Sequence, residues 1–315
     1  MSCHCVVVLN ANVSQHVPFS RLAMKALPRR CEGLCRNGKR CSITATSDMR
    51  DIQGILVAAP LLGGSTRCVF HMQTFVKNRA LNDEDCVEVF VDLETSGLST
   101  VRDRIVEIGA FSLDGVPFST VVDPGLKPED LAASTAVHGI GSQEIMQGPC
   151  FATAYERFCE YVENLADMAI IEDTSSEDDE PRTCHLRDPR PLVILAGHNT
   201  TAFDFPFLLS ECLRHGCNIG VMERWVYVDT LDMVRAIGPV IGLSCFKLQC
   251  LVAETSTRGQ FPAHRALSDC QALRAVVFHM SDSLGIPAVR LLRMFSYYPD
   301  IHASVVNISS LSGVN

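Results

Sequence analysis

The hydrophobic pattern changes period along the chain. VEVFVD (87–92) is apolar and β-branched, IVEIGAFS (105–112) alternates, and PFSTVV (117–122) follows Asp114-Gly115, a dipeptide suited to a hairpin turn. These predict three sequential strands. FATAYERFCEYVENLADM (151–168) then sets Phe151, Tyr155, Phe158, Val162 and Leu165 at helical spacing. LVILAG (192–197) reads as a buried strand, TAFDFPFLLSECLRHG (201–216) as a helix with Pro206 in its first turn, and WVYVD (225–229) as a short strand. TLDMVRAIG, LSCFKLQCLVAE and ALSDCQALRAVVFHM complete a helical second half. The mixture predicts an α/β domain.

The flanks differ. Residues 1–30 mix apolar and basic groups without a period, and a cysteine-rich segment follows over 31–72. The polar, acidic, proline-containing stretch 174–191 reads as a disordered insert or linker. The tail beyond Tyr298 lacks periodicity and is expected to be loose. The expected organisation is an N-terminal segment (1–30), a cysteine-rich module (31–72), a catalytic domain (87–282) with an acidic insert (172–190), and a C-terminal tail (283–315).

Composition narrows the class. With 47% apolar and 20% charged residues among 315, the chain can bury a sizeable core. Its longest apolar stretch, Ile55 to Leu62, is interrupted by Pro60 and is well short of the roughly 20 residues a membrane-spanning helix needs, so no membrane role is expected. The net charge of −9 argues against a protein that coats nucleic acid by charge alone. Six of those charges, Glu172, Asp173, Glu177, Asp178, Asp179 and Glu180, sit in the acidic insert. Conversely, Arg21, Lys25, Arg29, Arg30, Arg36, Lys39 and Arg40 face only Glu32, which permits a local basic surface. Fifteen cysteines without an evident export signal read mostly as reduced, buried thiols. An intracellular location, in nucleus or cytoplasm, is expected. A mitochondrial presequence stays open because the first acid is Glu32, although Val6 to Leu9 is not amphipathic.

The chemistry lies in scattered acids. Asp92 and Glu94 end the first strand, and residues two apart on a strand share a face, so both carboxylates can reach one cation. Hard divalent ions such as Mg²⁺ take oxygen ligands of this kind. Asp204 is flanked by Phe203 and Phe205 in an apolar helix, an expensive place for an acid unless it is paired or metal-bound. It could also serve simply as a helix N-terminal acid. Asp269 lies near the apolar face marked by Ala266, Leu273 and Val277, and His264 stands five residues before it. A neutral imidazole beside a metal-bound water could accept its proton near pH 7.

VFVDLETSGL, RIVEIGAFSLDG, VHGI, AGHNTTAFDFPFLL, VDTLDM and AHRALSDCQAL occur in the order shown by the DEDDh 3′–5′ exonucleases. The chain resembles that family over residues 87 to 282, most closely its repair and proofreading branch. The resemblance implies a ribonuclease H-like mixed sheet flanked by helices. It also implies a catalytic set of Asp92, Glu94, Asp204, His264 and Asp269. Asp92, Glu94, Asp204 and Asp269 would bind two Mg²⁺ ions (replaceable by Mn²⁺) about 4 Å apart, and His264 would take the proton. By the same resemblance Thr95, Leu98, Phe203, His138, Ile140 and Asn199 would serve the substrate. Leu98 would be the wedge between the last two bases, Phe203 the contact to the terminal sugar, and Asn199 a brace for the loop before Asp204. Core packing is the competing reading of Leu98 and Phe203.

Cys31, Cys41, Cys68 and His71 have a plausible zinc-ligand arrangement, with CVFH closing a C-x-x-H. Cys35 could replace Cys31, and the 26 residues between Cys41 and Cys68 are long for such a module. Structural zinc competes with unmetallated thiols. The expected function is metal-dependent release of nucleoside 5′-monophosphates from nucleic acid 3′ ends, DNA being favoured over RNA. An RNA-trimming enzyme and a catalytically silent nucleic-acid adaptor are the alternatives, and a homodimer is compatible with the sequence.

Overall fold

The computed structural model describes residues 7–9, 49–52, 55–58, 86–174, 191–255, 264–297, 299, 301, 304–305 and 308. Strands β1 (Val7–Leu9), β2 (Met49–Ile52) and β3 (Ile55–Ala58) form a small antiparallel sheet in the order β1-β3-β2. The expected zinc ligands Cys31, Cys41, Cys68 and His71 lie outside the described residues.

The main sheet contains β4 (Cys86–Thr95), β5 (Ile105–Ser112), β6 (Pro117–Val121), β7 (Leu192–Gly197) and β8 (Trp225–Asp229), ordered β6-β5-β4-β7-β8. The first three strands pair antiparallel, while β4-β7 and β7-β8 are parallel. Helices α1 (Pro128–His138), α2 (Ser142–Met146) and α3 (Phe151–Thr174) lie between β6 and β7, and α4 (Asp204–His215) connects β7 to β8. Helices α5 (Thr230–Ile237), α6 (Leu248–Glu254), α7 (Ala266–Leu284) and α8 (Ala288–Phe295) follow. This mixed five-stranded sheet flanked by helices is a ribonuclease H-like fold.

Strand alternation divides the core between two layers. Val87, Val89, Val91, Val193, Leu195, Trp225 and Tyr227 face α3 and α4, meeting Phe158, Val162, Phe207 and Leu209. Phe90, Ile194, Ala196, Val226 and Val228 face the opposite layer, where Cys270, Leu273, Val277 and Leu291 pack. The even-numbered face of β4 therefore carries Phe90 into the α7 layer, and Asp92 and Glu94 continue that face beyond the core. Every residue of β7 is buried, as its unbroken apolar sequence requires.

Several expectations are revised. Helices α1 and α2 are absent from the apolar periodicity because Leu131 is the only large apolar side chain that α1 buries, the others being Ser134 and His138. Pro128 starts α1, and Gly139, at φ 72°, ends it in the left-handed conformation that a side chain disfavours. Helix α3 extends to Thr174, so the acidic insert begins as helix; residues 175–190 lie outside the described set. LSCFK (243–247) precedes α6 rather than joining it. The loose tail is also corrected. Leu291, Leu292 and Phe295 of α8 complete the α7-side core, Tyr297 pairs with Tyr227 through two 2.8 Å backbone hydrogen bonds, and Ile301 is buried against the α3–α4 side. Ile301, Val305 and Ile308, all packed there, keep one helical stripe that sparse Ser and Asn conceal. Among the described residues, no single helix is long and apolar enough to cross a membrane.

Candidate active site

The site opens where β4 outruns β7. Their parallel pairing ends at Phe90–Ala196, whereas β4 continues to Thr95 beside β5. The free edge of β4 exposes the Leu93 N–H, which the Asp204 carboxylate accepts together with a Thr200 hydrogen bond. Ligands of α/β sheets characteristically bind in such crevices at the carboxyl ends of parallel strands.

Asp92, Glu94 and Asp269 each bring a carboxylate oxygen to a common point, all within 4.8 Å of one another. Asp92 and Glu94 arrive from one face of β4, and Asp269 from the first turn of α7. Asp204 stands outside that trio at the start of α4, yet near enough to raise the Asp92 carboxyl. All four acids are held above their ordinary values. Desolvation is the largest cause for Asp92, followed by the charges of Asp204, Asp269 and Glu94. Burial and then Asp269 push Glu94 up to about 8. Burial likewise raises Asp204, and raises Asp269 against the lowering hydrogen bond from the His264 backbone. Mutually repelling, oxygen-only donors of this kind fit a hard divalent cation, which would relieve the repulsion.

Two residues that the motif reading passed over place α7. Glu107 on β5 lies directly opposite Glu94 in the antiparallel register and is 1% exposed. It accepts from Arg265 Nη2 (2.8 Å) and from the Ala266 N–H (2.9 Å), so it joins the first turn of α7 to the sheet. Gly109 faces Asp92 across the same strand pair. A Cβ there would lie 2.3 Å from the Ala266 carbonyl carbon, so the missing side chain allows α7 to rest directly on β5. Glu107 is the acidic member of an otherwise apolar IVEIGAF, which was the available signal.

His264 is exposed at φ 61°. Its N–H donates to Asp269 Oδ2 (3.2 Å), and its Nε2 accepts from the Gln249 side-chain amide of α6 (2.8 Å). Gln249 gave no signal in the sequence.

The other expected substrate residues divide. Leu98 is 85% exposed, which removes core packing as its explanation. Phe203 is half-buried, with its ring 4.8 Å from that of Phe207. Thr95 is buried, and its hydroxyl donates to Gly97 O (2.6 Å), tightening the turn. Ile140 is wholly buried with Val106, Leu131 and Ile145, so its side chain supports the wall from behind rather than lining the crevice. His138 is also buried; its Nδ1 accepts from Ile140 N–H (3.0 Å), and desolvation lowers its pKa. Asn199 sits at φ 66°, its N–H donating to Asp229 Oδ1 (3.0 Å) and its carbonyl accepting from Ala202 and Phe203.

A family model described as "Exonuclease" (RNase_T) matches residues 89–171, which include Asp92 and Glu94. The chain is 27% identical over 243 residues to the chloroplastic/mitochondrial exonuclease DPD1 of Arabidopsis thaliana, covering 73% of this chain and 68% of that one. It is 29% identical over 185 residues to DNA polymerase III subunit epsilon of Treponema pallidum, covering 57% and 69%. Among solved structures, the nuclease domain of a DEDDh family member bound to rAMP aligns at 10% identity and a TM-score of 0.46, covering 62% of this chain and 92% of that one. Sheet order and sequence relatives together define a nucleic-acid hydrolase. The chain belongs to the DEDDh family of 3′–5′ exonucleases, whose members use divalent metal ions.

Proposed function

We propose that this exonuclease degrades DNA from its 3′ end, releasing nucleoside 5′-monophosphates, with Asp92, Glu94, Asp204 and Asp269 holding two Mg²⁺ ions and His264 as general base. The observation that carries this reading is the meeting of Asp92, Glu94 and Asp269 oxygens within 4.8 Å from two elements far apart in sequence. Bound Mg²⁺ would supply Lewis-acid activation of water and charge stabilisation at the leaving 3′-oxygen.

The protein's own part is positional. Asp92 and Glu94 share one face of β4, and Asp269 closes the set from α7. Asp204, fixed by Leu93 and Thr200, adds its charge from the opposite wall. His264 lies beside Asp269, in reach of a proton leaving the attacking water. Leu98 would press between the last two bases, and Phe203 would meet the terminal sugar. Thr95 and Asn199 would shape the loops around the 3′ nucleotide, with His138 and Ile140 behind them. DNA is favoured because a polymerase subunit stands among the relatives. The DPD1 relative, chloroplastic/mitochondrial by name, supports an intracellular and organellar setting.

Matched 3′-labelled DNA and RNA oligonucleotides, incubated with Mg²⁺, test the reading. Mononucleotide release should be faster from DNA and should vanish with EDTA or with Asp92→Ala. Release that survives both changes overturns the mechanism. Faster turnover of RNA overturns the substrate, and tight binding without cleavage would indicate an adaptor.

A further inference from the structure

Outside the acid cluster, the chemistry that the exonuclease reaction leaves unused concentrates just before and within α6. Cys245 and Cys250 are both reduced, both partly exposed, and hydrogen-bonded to each other through their side chains. Cys245 belongs to the non-helical stretch ahead of α6, and Cys250 is the third residue of that helix. The stretch is anchored on both sides of Cys245. The Glu254 carboxylate accepts from Ser244 N–H (2.9 Å), from the Ser244 hydroxyl and from the Cys245 N–H, and the Phe246 carbonyl accepts from His198 Nε2 (2.8 Å). Between the two thiols in sequence lies Gln249, whose amide donates to His264 Nε2.

We propose that Cys245 and Cys250 are an oxidative modification site, a thiol pair that peroxide converts to a disulfide and that thereby holds Gln249 on the His264 imidazole. An imidazole whose Nε2 lone pair is occupied by the Gln249 amide cannot take a proton there, so α6 must release His264 for the ring to act as a base through that nitrogen. The two sulfurs already touch in the arrangement in which Gln249 grips His264. A covalent bond made in that arrangement therefore preserves the grip. The effect on rate rests on the role proposed for His264; formation of the disulfide does not.

The chemistry balances with hydrogen peroxide as oxidant. The Cys245 thiolate attacks one peroxide oxygen, the O–O bond breaks, and the departing hydroxide leaves as water after taking a proton, giving a sulfenic acid. The Cys250 sulfur then attacks the sulfur of Cys245. The S–S bond forms, the S–O bond breaks, and the hydroxyl departs with the Cys250 proton as a second water. Two thiols lose two electrons together, and one peroxide becomes two waters. The division of roles follows from the contact itself: the hydrogen bond from Cys250 is the largest influence lowering the Cys245 thiol, while the same bond raises Cys250.

Trypsin reads the bond directly. Cleavage at Arg235, Lys247 and Arg258 separates residues 236–247, containing only Cys245, from 248–258, containing only Cys250. After treatment of the full-length protein with hydrogen peroxide, those two peptides should remain joined and should separate with dithiothreitol. Their remaining unlinked while other cysteines oxidise overturns the site. Exonuclease rate, measured on the same samples, should fall several-fold on oxidation and recover on reduction. Cys245→Ser should keep the reduced rate and lose both the cross-link and the peroxide response. Gln249→Ala should form the cross-link without the fall in rate. A linked protein with unchanged rate overturns the control of His264 and leaves the disulfide standing. A protein without nuclease activity even when reduced fails the proposed function instead, and the peptide readout still decides the disulfide.

Discussion

Glu107 and Arg265 join the sheet to the helix that carries Asp269. The Glu107 carboxylate, 1% exposed on β5, receives the Arg265 guanidinium at 2.8 Å and the Ala266 N–H at 2.9 Å. Arg265→Ala would leave that carboxylate buried with only the Ala266 N–H and the Ser119 hydroxyl as partners. The expected cost is about 2 kcal/mol, below that of a fully buried pair because Arg265 itself is 40% exposed and solvent-screened. Glu107→Gln, which keeps an oxygen for the Ala266 N–H, should cost less. Denaturant unfolding in EDTA ranks the two variants. Equal stability of Arg265→Ala and the parent would remove the anchor from the account.

Gly109 predicts a larger effect on rate than on folding. A Cβ there would meet the Ala266 carbonyl carbon at 2.3 Å and the Leu267 nitrogen at 2.4 Å, both backbone atoms that can yield only if α7 moves. Asp269 moves with that helix. A displacement on the order of 1 Å of a reacting group can cost about 100-fold in rate. Gly109→Ala is therefore expected to fold, with a lowered unfolding temperature, and to lose about 100-fold in mononucleotide release. Parent-like kinetics would show that the α7 contact tolerates a methyl group.

The carboxyl cluster makes stability depend on pH in a defined sense. Glu94 is pushed up to about 8 by burial and by Asp269, from an ordinary value of 4.5, and the other three acids shift in the same direction. Between those values the folded metal-free protein holds protons that the unfolded chain has released. Stability consequently falls as pH rises through that window, and the contribution is lost above about pH 8. In EDTA, the unfolding temperature should decline between about pH 5 and about pH 8. Mg²⁺ should flatten that decline, because a bound cation replaces the protons. An unfolding temperature that climbs with pH in EDTA would contradict the raised carboxyls.

How much of this was visible beforehand depends on whether a residue's role is local. Asp92 and Glu94 could be paired from strand period alone, and Asp204 was conspicuous between two phenylalanines. The meeting of Asp269 with them required the β4–β5–α7 packing, which only the family resemblance supplied. Glu107 stood within a motif already quoted, but its position opposite Glu94 is a matter of strand register. Gln249 was invisible because its contact with His264 crosses a segment whose course no periodicity describes. The C-terminal stripe of Ile301, Val305 and Ile308 was missed for another reason. Three apolar residues in a serine-rich tail give too weak a pattern until the surface they cover is known.

Leu98 offers the sharpest separation of binding from stability. An 85% exposed leucine contributes almost nothing to the core, yet its loop is tightly fixed. Ser96 N–H donates to Arg104 O at 2.8 Å, Ser99 N–H to Asp103 Oδ2 at 2.8 Å, and the Ser210 hydroxyl of α4 reaches Thr100 O at 2.7 Å. Arg214, paired with Glu211, adds a hydrogen bond to Val101 O at 3.0 Å. Ordering an apolar side chain outward on such a loop has a reason if a base packs on it. Leu98→Ala should leave unfolding within about 0.5 kcal/mol of the parent, as for other surface changes. It should nevertheless raise KM for an oligonucleotide several-fold. Ser210→Ala, which loosens the loop and keeps the leucine, should produce a smaller change in KM together with a measurable loss of stability. If Leu98→Ala destabilises the fold while KM stays at the parent value, the side chain belongs to packing and not to the substrate.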